Sequence, residues 1–271
     1  MRIKDFLRRP IPKRCCKKII RICYSCQNLF NQFKYLIVGK KITDVSEIPV
    51  FINNYNRLSY LSKMIIFLEK AGIRNIHIID NASTYPPLLE YYKQCPYEVI
   101  YLKENMGYLS FWKTDLYKKY GNSYYVYTDP DLVLDDDCPN DFMDYFYKIL
   151  RKYPTQSKVG FGLRINDIPE SNPFKNDIIK HESQFWEKEI EPGLYDAPID
   201  TTFALYRPFF NRIKNKRKYA IRTGYPYVMR HLPWYIDPNI LSDEDKYYLG
   251  SNIIATHWTR ALKELKDLET N

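Results

Sequence analysis

The strongest constraint on the fold is a regular alternation of strand-like and helix-like runs between residues 48 and 134. Four apolar runs predict strands, at 48–55 (IPVFINNY), 75–84, 97–105 and 124–134 (YYVYTDPDLVL). Helical patterns separate them, at 57–72, 88–95 and 107–121. Such alternation is built from βαβ units, which give a parallel sheet covered by helices on both faces. The sequence therefore predicts an α/β fold with a mostly parallel central sheet.

Polar side chains follow each predicted strand. Sheets of this kind bind ligands in the crevice at the carboxyl ends of their strands. We therefore expect the polar residues to converge on one site although they are distant in sequence. They are Asn53, Asn54, Asp80, Asn81, Asn105, Asp129 and Asp131.

The fourth predicted strand contains two aspartates, Asp129 and Asp131, with only Pro130 between them. Residues two apart in extended chain point to the same side, so both carboxylates can face one pocket. Mg²⁺ and Mn²⁺ take oxygen ligands, commonly one or two carboxylates plus substrate phosphates. The pair predicts a divalent metal site. The alternative is structural, with Asp129 capping a turn and Asp131 in solvent.

Two phosphate-binding templates are excluded. The chain has no G-x-x-x-x-G-K-[ST] motif, and GFGLRI (160–165) lacks the third glycine of a dinucleotide fingerprint. Glycine is scarce, with nine residues in 271. Backbone amides alone are therefore a poor candidate for holding phosphates, which favours a metal ion in that role.

Basic charge is concentrated at the N-terminus. Residues 1–41 hold twelve Lys/Arg and one acid, a net charge of +11, whereas the remaining residues have 29 basic and 31 acidic side chains, a net charge of −2. A nucleic-acid-binding body would carry its basic residues across a face of the fold. The distribution argues against that class.

Apolar residues recur at three- and four-residue steps in the same segment, which predicts an amphipathic helix. They are Ile19, Ile22, Cys23, Cys26, Leu29, Phe30, Phe33, Leu36 and Ile37. With its flanking lysines and arginines, such a helix suits an anionic membrane interface. Packing on the body or on a second subunit is the alternative. We assign 1–46 to this segment and 47–271 to the main domain, divided into 47–135 and 136–271.

Neither a run of 18 apolar residues nor an uninterrupted signal-peptide core is present. The six cysteines lack a complete zinc pattern and are interpreted as reduced thiols. We expect a cytoplasmic protein, with peripheral attachment to the inner face of the cell membrane.

Four stretches resemble a known enzyme family: PVFINNYNR (49–57), IIDNAST (78–84), ENMGY (104–108) and YTDPD (127–131). The chain looks like a nucleotide-sugar glycosyltransferase of the GT-A fold, most similar to the bacterial family 2-type enzymes of surface-polysaccharide synthesis. The resemblance covers residues 48–165 well and is looser beyond them. It implies a Rossmann-like nucleotide-binding half and an acceptor-binding half.

The resemblance also implies roles for individual residues. Asn53, Asn54 and Arg57 would line the nucleotide site, and Asp80 would hold the base or ribose. Asn105 and Gly107 match an N-x-G motif after the third strand. Asp129 would approach the ribose or the metal, and Asp131 would coordinate metal that bridges the diphosphate.

The second half of the chain offers weaker candidates. Asp200 is the proposed general base, and the acidic run 243–245 is its rival. That run also fits a helix start capped by Ser242. His257 is a candidate third metal ligand and His231 a candidate phosphate ligand. Five further residues are candidates for binding diphosphate or stacking on an acceptor sugar, each with a structural alternative: Arg222, Arg230, Arg260, Trp234 and Trp258.

The sequence thus predicts a metal-dependent glycosyltransferase that uses a nucleotide sugar, expected to be UDP-linked, and a glycan or lipid-linked acceptor, with inversion of configuration. Two alternatives stay open. One is a nucleotidyltransferase of related fold, although the expected glycine-rich loop after the first strand is missing. The other is a non-catalytic module that binds glycans or membranes.

Overall fold

The computed structural model of the chain describes residues 13–39, 42–211, 219–237 and 239–251. The predicted metal ligand His257 and the candidates Trp258 and Arg260 lie outside these residues. The described part contains a single large sheet with helices packed against it.

The sheet has ten strands. In chain order they are β1 (Val50–Asn54), β2 (Ile76–Asp80), β3 (Glu98–Tyr101), β4 (Tyr125–Thr128), β5 (Leu132–Leu134), β6 (Lys158–Leu163), β7 (Glu189–Glu191), β8 (Leu194–Asp196), β9 (Ala204–Tyr206) and β10 (Ala220–His231).

The longer helices are α1 (Lys13–Val38), α2 (Leu58–Lys70), α3 (Pro86–Gln94), α4 (Ser110–Lys113), α5 (Leu116–Tyr120), α6 (Phe142–Lys152), α7 (Lys175–Ser183) and α8 (Asp243–Ser251). Short 3-10 turns cover Val45–Glu47, Gly107–Leu109, Gln184–Trp186 and Leu232–Tyr235. No helix in the described ranges is both long enough and apolar enough to cross a bilayer.

The spatial order of the sheet is β3-β2-β1-β4-β9-β6-β10-β8-β7, and β5 pairs with β10. Among strands β1 to β4, every pairing is parallel, and β6 also pairs in parallel with β10. Strand β9 runs antiparallel to both β4 and β6 and joins the two halves. The predicted α/β class, with its parallel first half, is confirmed.

Alternate residues of the parallel strands enter two separate hydrophobic cores. In β1, Val50 and Ile52 pack into one core and Phe51 into the other. In β2, Ile78 and Ile79 divide in the same way. A sheet buried on both faces requires apolar residues on both sides of each strand, which explains the continuous apolar runs in the sequence.

Two predicted elements are divided in the structure. The helix predicted at 107–121 is interrupted because Thr114 is extended, which separates α4 from α5. The strand predicted at 124–134 is two strands with different neighbours, since β4 pairs with β1 and β9 whereas β5 pairs with β10. The aspartate pair therefore occupies the connection between two strands.

Candidate active site

The main chain fixes the connection that carries the two aspartates. The amide of Asp129 donates to the carbonyl of Thr201 at 3.0 Å, and the Thr201 hydroxyl donates to the Asp129 carboxylate. On the other side of Pro130, the carbonyl of Asp131 accepts from the amide of Leu232 at 2.8 Å. Loops before β9 and after β10 thus hold both carboxylates at the carboxyl end of β4.

The two carboxylates are electrostatically coupled. Burial and the neighbouring charge of Asp131 raise the pKa of Asp129 well above its usual range. Burial would also raise the pKa of Asp131, but His231 and Arg57 hold it below its ordinary value. Neighbouring carboxylates repel each other when both are ionised. A cation bound between them would relieve that repulsion, so the pair is suited to a metal ion.

His231 lies beside the pair. Its Nε2 is 3.2 Å from Asp131 Oδ2, and its ring packs edge-on against Trp234 at 4.9 Å. Nδ1 is buried and has no hydrogen-bond partner in the part of the chain that the structure describes. The sequence suggested His231 only as a phosphate ligand. Its position depends on the antiparallel pairing of His231 with Leu132, which no local pattern indicates.

The donor set fits a hard divalent cation. Asp129 and Asp131 supply carboxylate oxygens, and Mg²⁺ is commonly held by one or two carboxylates completed by substrate phosphates and water. Within the described ranges, no group of three or more His, Cys, Asp or Glu side chains is arranged to hold a metal.

The end of β1 forms the adjoining wall. Asn53 accepts from the Ser110 hydroxyl at 2.7 Å and lies within hydrogen-bonding reach of Asp129. Asn54 is fully buried and donates to the Tyr92 hydroxyl at 2.9 Å. Its Oδ1 has no hydrogen-bond partner among the residues described. Both predicted nucleotide residues thus lie in a buried polar layer behind the aspartate pair.

Asp80 belongs to the same layer. It accepts from the Tyr92 hydroxyl at 3.2 Å and from the amide of Ser83 at 3.2 Å. Burial raises the pKa of Asp80, and these two donors oppose the shift. With 3% of its surface exposed, Asp80 helps to connect β2 to α3.

The predicted N-x-G motif forms a turn. Asn105 accepts from the amide of Gly107 at 2.9 Å, and Gly107 has φ = +72°, which glycine adopts without strain. Asn81 holds this turn from the end of β2, because its side chain accepts from Met106 at 2.7 Å and donates to Gly107 at 3.1 Å. These contacts fix the turn at the carboxyl end of β2.

Arg57 is paired across the site with α8. Its guanidinium lies 2.5 Å from Asp245 and 3.8 Å from the Tyr248 ring centroid. Asn56, which sequence reasoning missed, has φ = +52° and accepts from the amides of Thr84 and Tyr85 at 2.7 and 2.9 Å. Asparagine tolerates a positive φ better than most residues. An asparagine directly after a predicted strand was therefore the sequence signal that could have indicated this turn.

The acidic run 243–245, the rival for general base, has structural partners. Glu244 accepts from the amides of Leu58 and Ser59 at 3.0 and 2.9 Å, and from the Ser59 hydroxyl at 2.7 Å. It therefore caps α2 from a distant part of the chain. The Ser242 hydroxyl accepts from the amide of Asp245 at 3.1 Å, which confirms the predicted capping of α8.

Asp200 lies next to the aspartate pair in the loop before β9. After burial and Asp131, the charge of Asp200 is a further cause of the raised pKa of Asp129. The buried ammonium of Lys158 donates to the carbonyls of Ile199 and Asp200 at 2.7 and 3.0 Å. The loop that carries both the exposed Asp200 and the Thr201 hydroxyl is thus fixed by a lysine that is 1% exposed.

Other candidates from the second half are engaged elsewhere. Arg222 is buried and pairs with Glu182 at 2.7 Å. Arg230 pairs with Asp167 at 2.6 Å. Trp234 is 3% exposed and belongs to the larger hydrophobic core. These contacts are ion pairs and core packing, as the structural alternatives for these residues predicted.

No protein-family model and no curated protein sequence matches the chain. Among solved structures, a mannosyltransferase from Pyrobaculum calidifontis in complex with GDP-Man and Mn²⁺ is similar at 17% identity and a TM-score of 0.40. That match covers 73% of this chain and 57% of the other. TarS from S. aureus matches at 12% identity and a TM-score of 0.43, over 79% of this chain and 42% of TarS. The chain thus spans about half the length of these two structures.

A putative glucose-1-phosphate thymidylyltransferase from Bacillus anthracis, in complex with a sucrose, is also similar. Its identity is 12% and its TM-score 0.34, over 59% of this chain and 71% of the other.

Proposed function

We propose that this chain is a metal-dependent glycosyltransferase that moves a sugar from a nucleotide-sugar donor to a glycan or lipid-linked acceptor. One observation carries the proposal: two neighbouring carboxylates, Asp129 and Asp131, follow β4 at the carboxyl end of the parallel half of the sheet. They adjoin the polar end of β1 and the half-buried His231. That arrangement suits a cation and a diphosphate, and ligands of open α/β sheets bind at this edge.

Asp129 and Asp131 would hold the metal ion, Mn²⁺ or Mg²⁺, and His231 lies where it can orient Asp131. When bound, the ion would neutralise charge that builds on the departing nucleoside diphosphate. Thr201 and Asn53 keep the Asp129 carboxylate in place through hydrogen bonds. His257 stays a candidate ligand from sequence.

The nucleotide would lie along the ends of β1 and β2. The proposed contacts come from Asn53, Arg57, Asn105 and Gly107, and the buried Asn54 and Asp80 would support them from the polar layer behind. Arg57 is the proposed cation for the diphosphate, since its charge acts on Asp131. Its pairing with Asp245 and its stacking on Tyr248 would tie nucleotide binding to α8.

Asp200 is the proposed general base. It is exposed and close to Asp129, and Lys158 fixes its loop by donating to the Asp200 carbonyl. Its carboxylate would take the proton from an acceptor hydroxyl. Proton removal from the attacking hydroxyl by a positioned carboxylate is a common source of rate enhancement. We propose inversion at the anomeric carbon, with attack from the side opposite the leaving diphosphate.

The proposed setting is surface-polysaccharide synthesis at the cytoplasmic face of the membrane. The support is the concentration of twelve Lys/Arg and one acid in residues 1–41. Polybasic segments are attracted to anionic headgroups by about 1 kcal/mol per basic residue. This segment would bring the enzyme to a lipid-linked acceptor.

Thermal unfolding with a panel of nucleotide sugars, with and without Mn²⁺, tests the proposal. A donor at a hundredfold its dissociation constant stabilises the fold by about 2.7 kcal/mol. We expect Mn²⁺-dependent protection by one nucleotide class, UDP sugars first, and release of the nucleoside diphosphate when an acceptor is added. Asp131→Ala should abolish both effects without unfolding the chain.

Asp136→Ala is the matched control, because that side chain is 97% exposed in the loop that follows β5. Full release by Asp131→Ala in the presence of a chelator would overturn the metal assignment. Pyrophosphate release from a nucleoside triphosphate and a sugar phosphate would identify a nucleotidyltransferase instead. Donor binding without any turnover over a broad acceptor panel would identify a binding module.

A further inference from the structure

Helix α1 packs against the body through its polar side. The Asn31 amide donates to the carbonyl of Phe209 at 3.4 Å, and the Gln32 amide donates to the carbonyl of Pro154 at 2.9 Å. One turn further on, the Tyr35 ring meets Tyr124 edge to face at 5.3 Å. Asn31 is only 7% exposed. The polar face of α1, which usually faces water, is thus turned toward the body.

The apolar side of α1 faces away from the body. Its exposed residues, with 52% to 69% of their surface accessible, are Leu29, Phe30, Phe33, Leu36 and Ile37. Their spacing of one, three and four residues places them on one face of a helix. We call this set the outer stripe. Cys26, which is also exposed, extends it by one turn toward the N-terminus.

A continuous stripe of this kind differs from ordinary surface composition. Single exposed apolar residues are normal on soluble proteins, whereas a contiguous apolar patch marks a surface that binds something. The remaining question is which occupant the outer stripe fits.

Charge complementarity favours an anionic lipid surface. Residues 1–41 carry a net charge of +11, and α1 itself has six Lys/Arg and no acid. A second copy of the chain docked through the same stripe would bring another +11 segment against the first, and like charges brought together disfavour that contact. A bilayer with anionic headgroups offers apolar tails for the stripe and negative charge for the flanking residues.

We propose that the outer stripe lies in the interface of an anionic membrane while Asn31, Gln32 and Tyr35 hold α1 on the body. This deepens the membrane partner of the proposed function by naming the surface that binds. Because the helix is fixed to the body on one side, the membrane contact also fixes how the catalytic domain is presented to the bilayer.

Vesicle co-sedimentation of the full chain tests the surface. Vesicles of phosphatidylcholine alone are compared with vesicles that also contain phosphatidylglycerol. We expect binding that needs phosphatidylglycerol and weakens as salt is added. The double variant Phe30→Gln/Phe33→Gln should lower the partition coefficient by about tenfold or more, since two aromatic anchors are lost.

Ile66→Gln is the matched control, because Ile66 is an apolar residue of α2 that is 51% exposed on the body. It should bind as the unaltered chain does. Unchanged binding of the Phe30/Phe33 variant would overturn the proposal. Loss of a solution dimer in that variant, with no vesicle binding by the unaltered chain, would assign the stripe to a second copy instead.

Hydrogen exchange of the unaltered chain, with and without vesicles, is a second test of the outer stripe. Phosphatidylglycerol vesicles should slow exchange in residues 29–38 and leave β1 unchanged. Equal exchange with and without vesicles would also overturn the proposal. Neither measurement uses a nucleotide sugar, so the membrane surface can fail while the transferase proposal stands, and the reverse.

Discussion

Glu244 gives a stability prediction that the structure makes quantitative. The residue is 8% exposed. Its carboxylate accepts three hydrogen bonds at the start of α2, from two backbone amides and the Ser59 hydroxyl. Arg57 precedes the helix and makes no side-chain cap of its own. Glu244 therefore supplies the cap that α2 lacks locally.

Truncation by Glu244→Ala removes all three acceptors. Hydrogen bonds to charged groups contribute about 1.5–3 kcal/mol each, and a lost cap typically costs about 1 kcal/mol. Water entering the vacated space would satisfy part of the loss, so we expect a decrease of about 2–3 kcal/mol in the free energy of unfolding. For a chain of this size, that corresponds to a fall of about 4–12 °C in Tm.

Two variants make the measurement specific. Glu244→Gln keeps one acceptor oxygen and loses the charge at the helix terminus, so it should cost about 1 kcal/mol or less. Asp243→Ala makes the neighbouring change at a side chain that is 95% exposed and should stay within about 0.5 kcal/mol of the unaltered chain. Denaturant unfolding and calorimetry report the order. Equal stability of Glu244→Ala and Asp243→Ala would refute the capping role.

Three further predictions concern the aspartate pair and the residues that support it. Burial and the charge of Asp131 raise the pKa of Asp129 in the folded protein, so ionisation of Asp129 opposes folding. The resulting loss in the free energy of unfolding grows as the pH rises from the pKa of the unfolded chain to the higher pKa of the folded protein. Asp129→Asn should therefore raise the Tm of the metal-free protein at neutral pH while removing Mn²⁺ protection; a lower Tm at every pH would contradict this. His231→Gln should weaken Mn²⁺-dependent protection by about 10–100-fold in metal concentration, as loss of an orienting partner does; an unchanged midpoint would count against it. Lys158→Met should lower the free energy of unfolding by about 2–4 kcal/mol, because the carbonyls of Ile199 and Asp200 lose their donor; urea unfolding that matches that of the exposed-site variant Lys148→Met would contradict this role.

The sequence predicted those features that depend on local pattern. Apolar runs and helical periodicity identified β1 to β4 and the helices between them, because burial on both faces leaves a continuous apolar signature. The aspartate pair was found because parallel strands end at a common edge. Ser242 was recognised as a cap because capping is decided within one helical turn.

The tertiary structure decided which distant residues meet. His231 reaches Asp131 through the register of β10 against β5, and Glu244 reaches α2 across 186 positions of the chain. Periodicity also revealed the apolar face of α1 but left its orientation open. Contacts of Asn31 and Gln32 with the body turn that face outward. Local pattern tells which residues share a face, whereas the partner of that face depends on strand registers and loop contacts between distant segments.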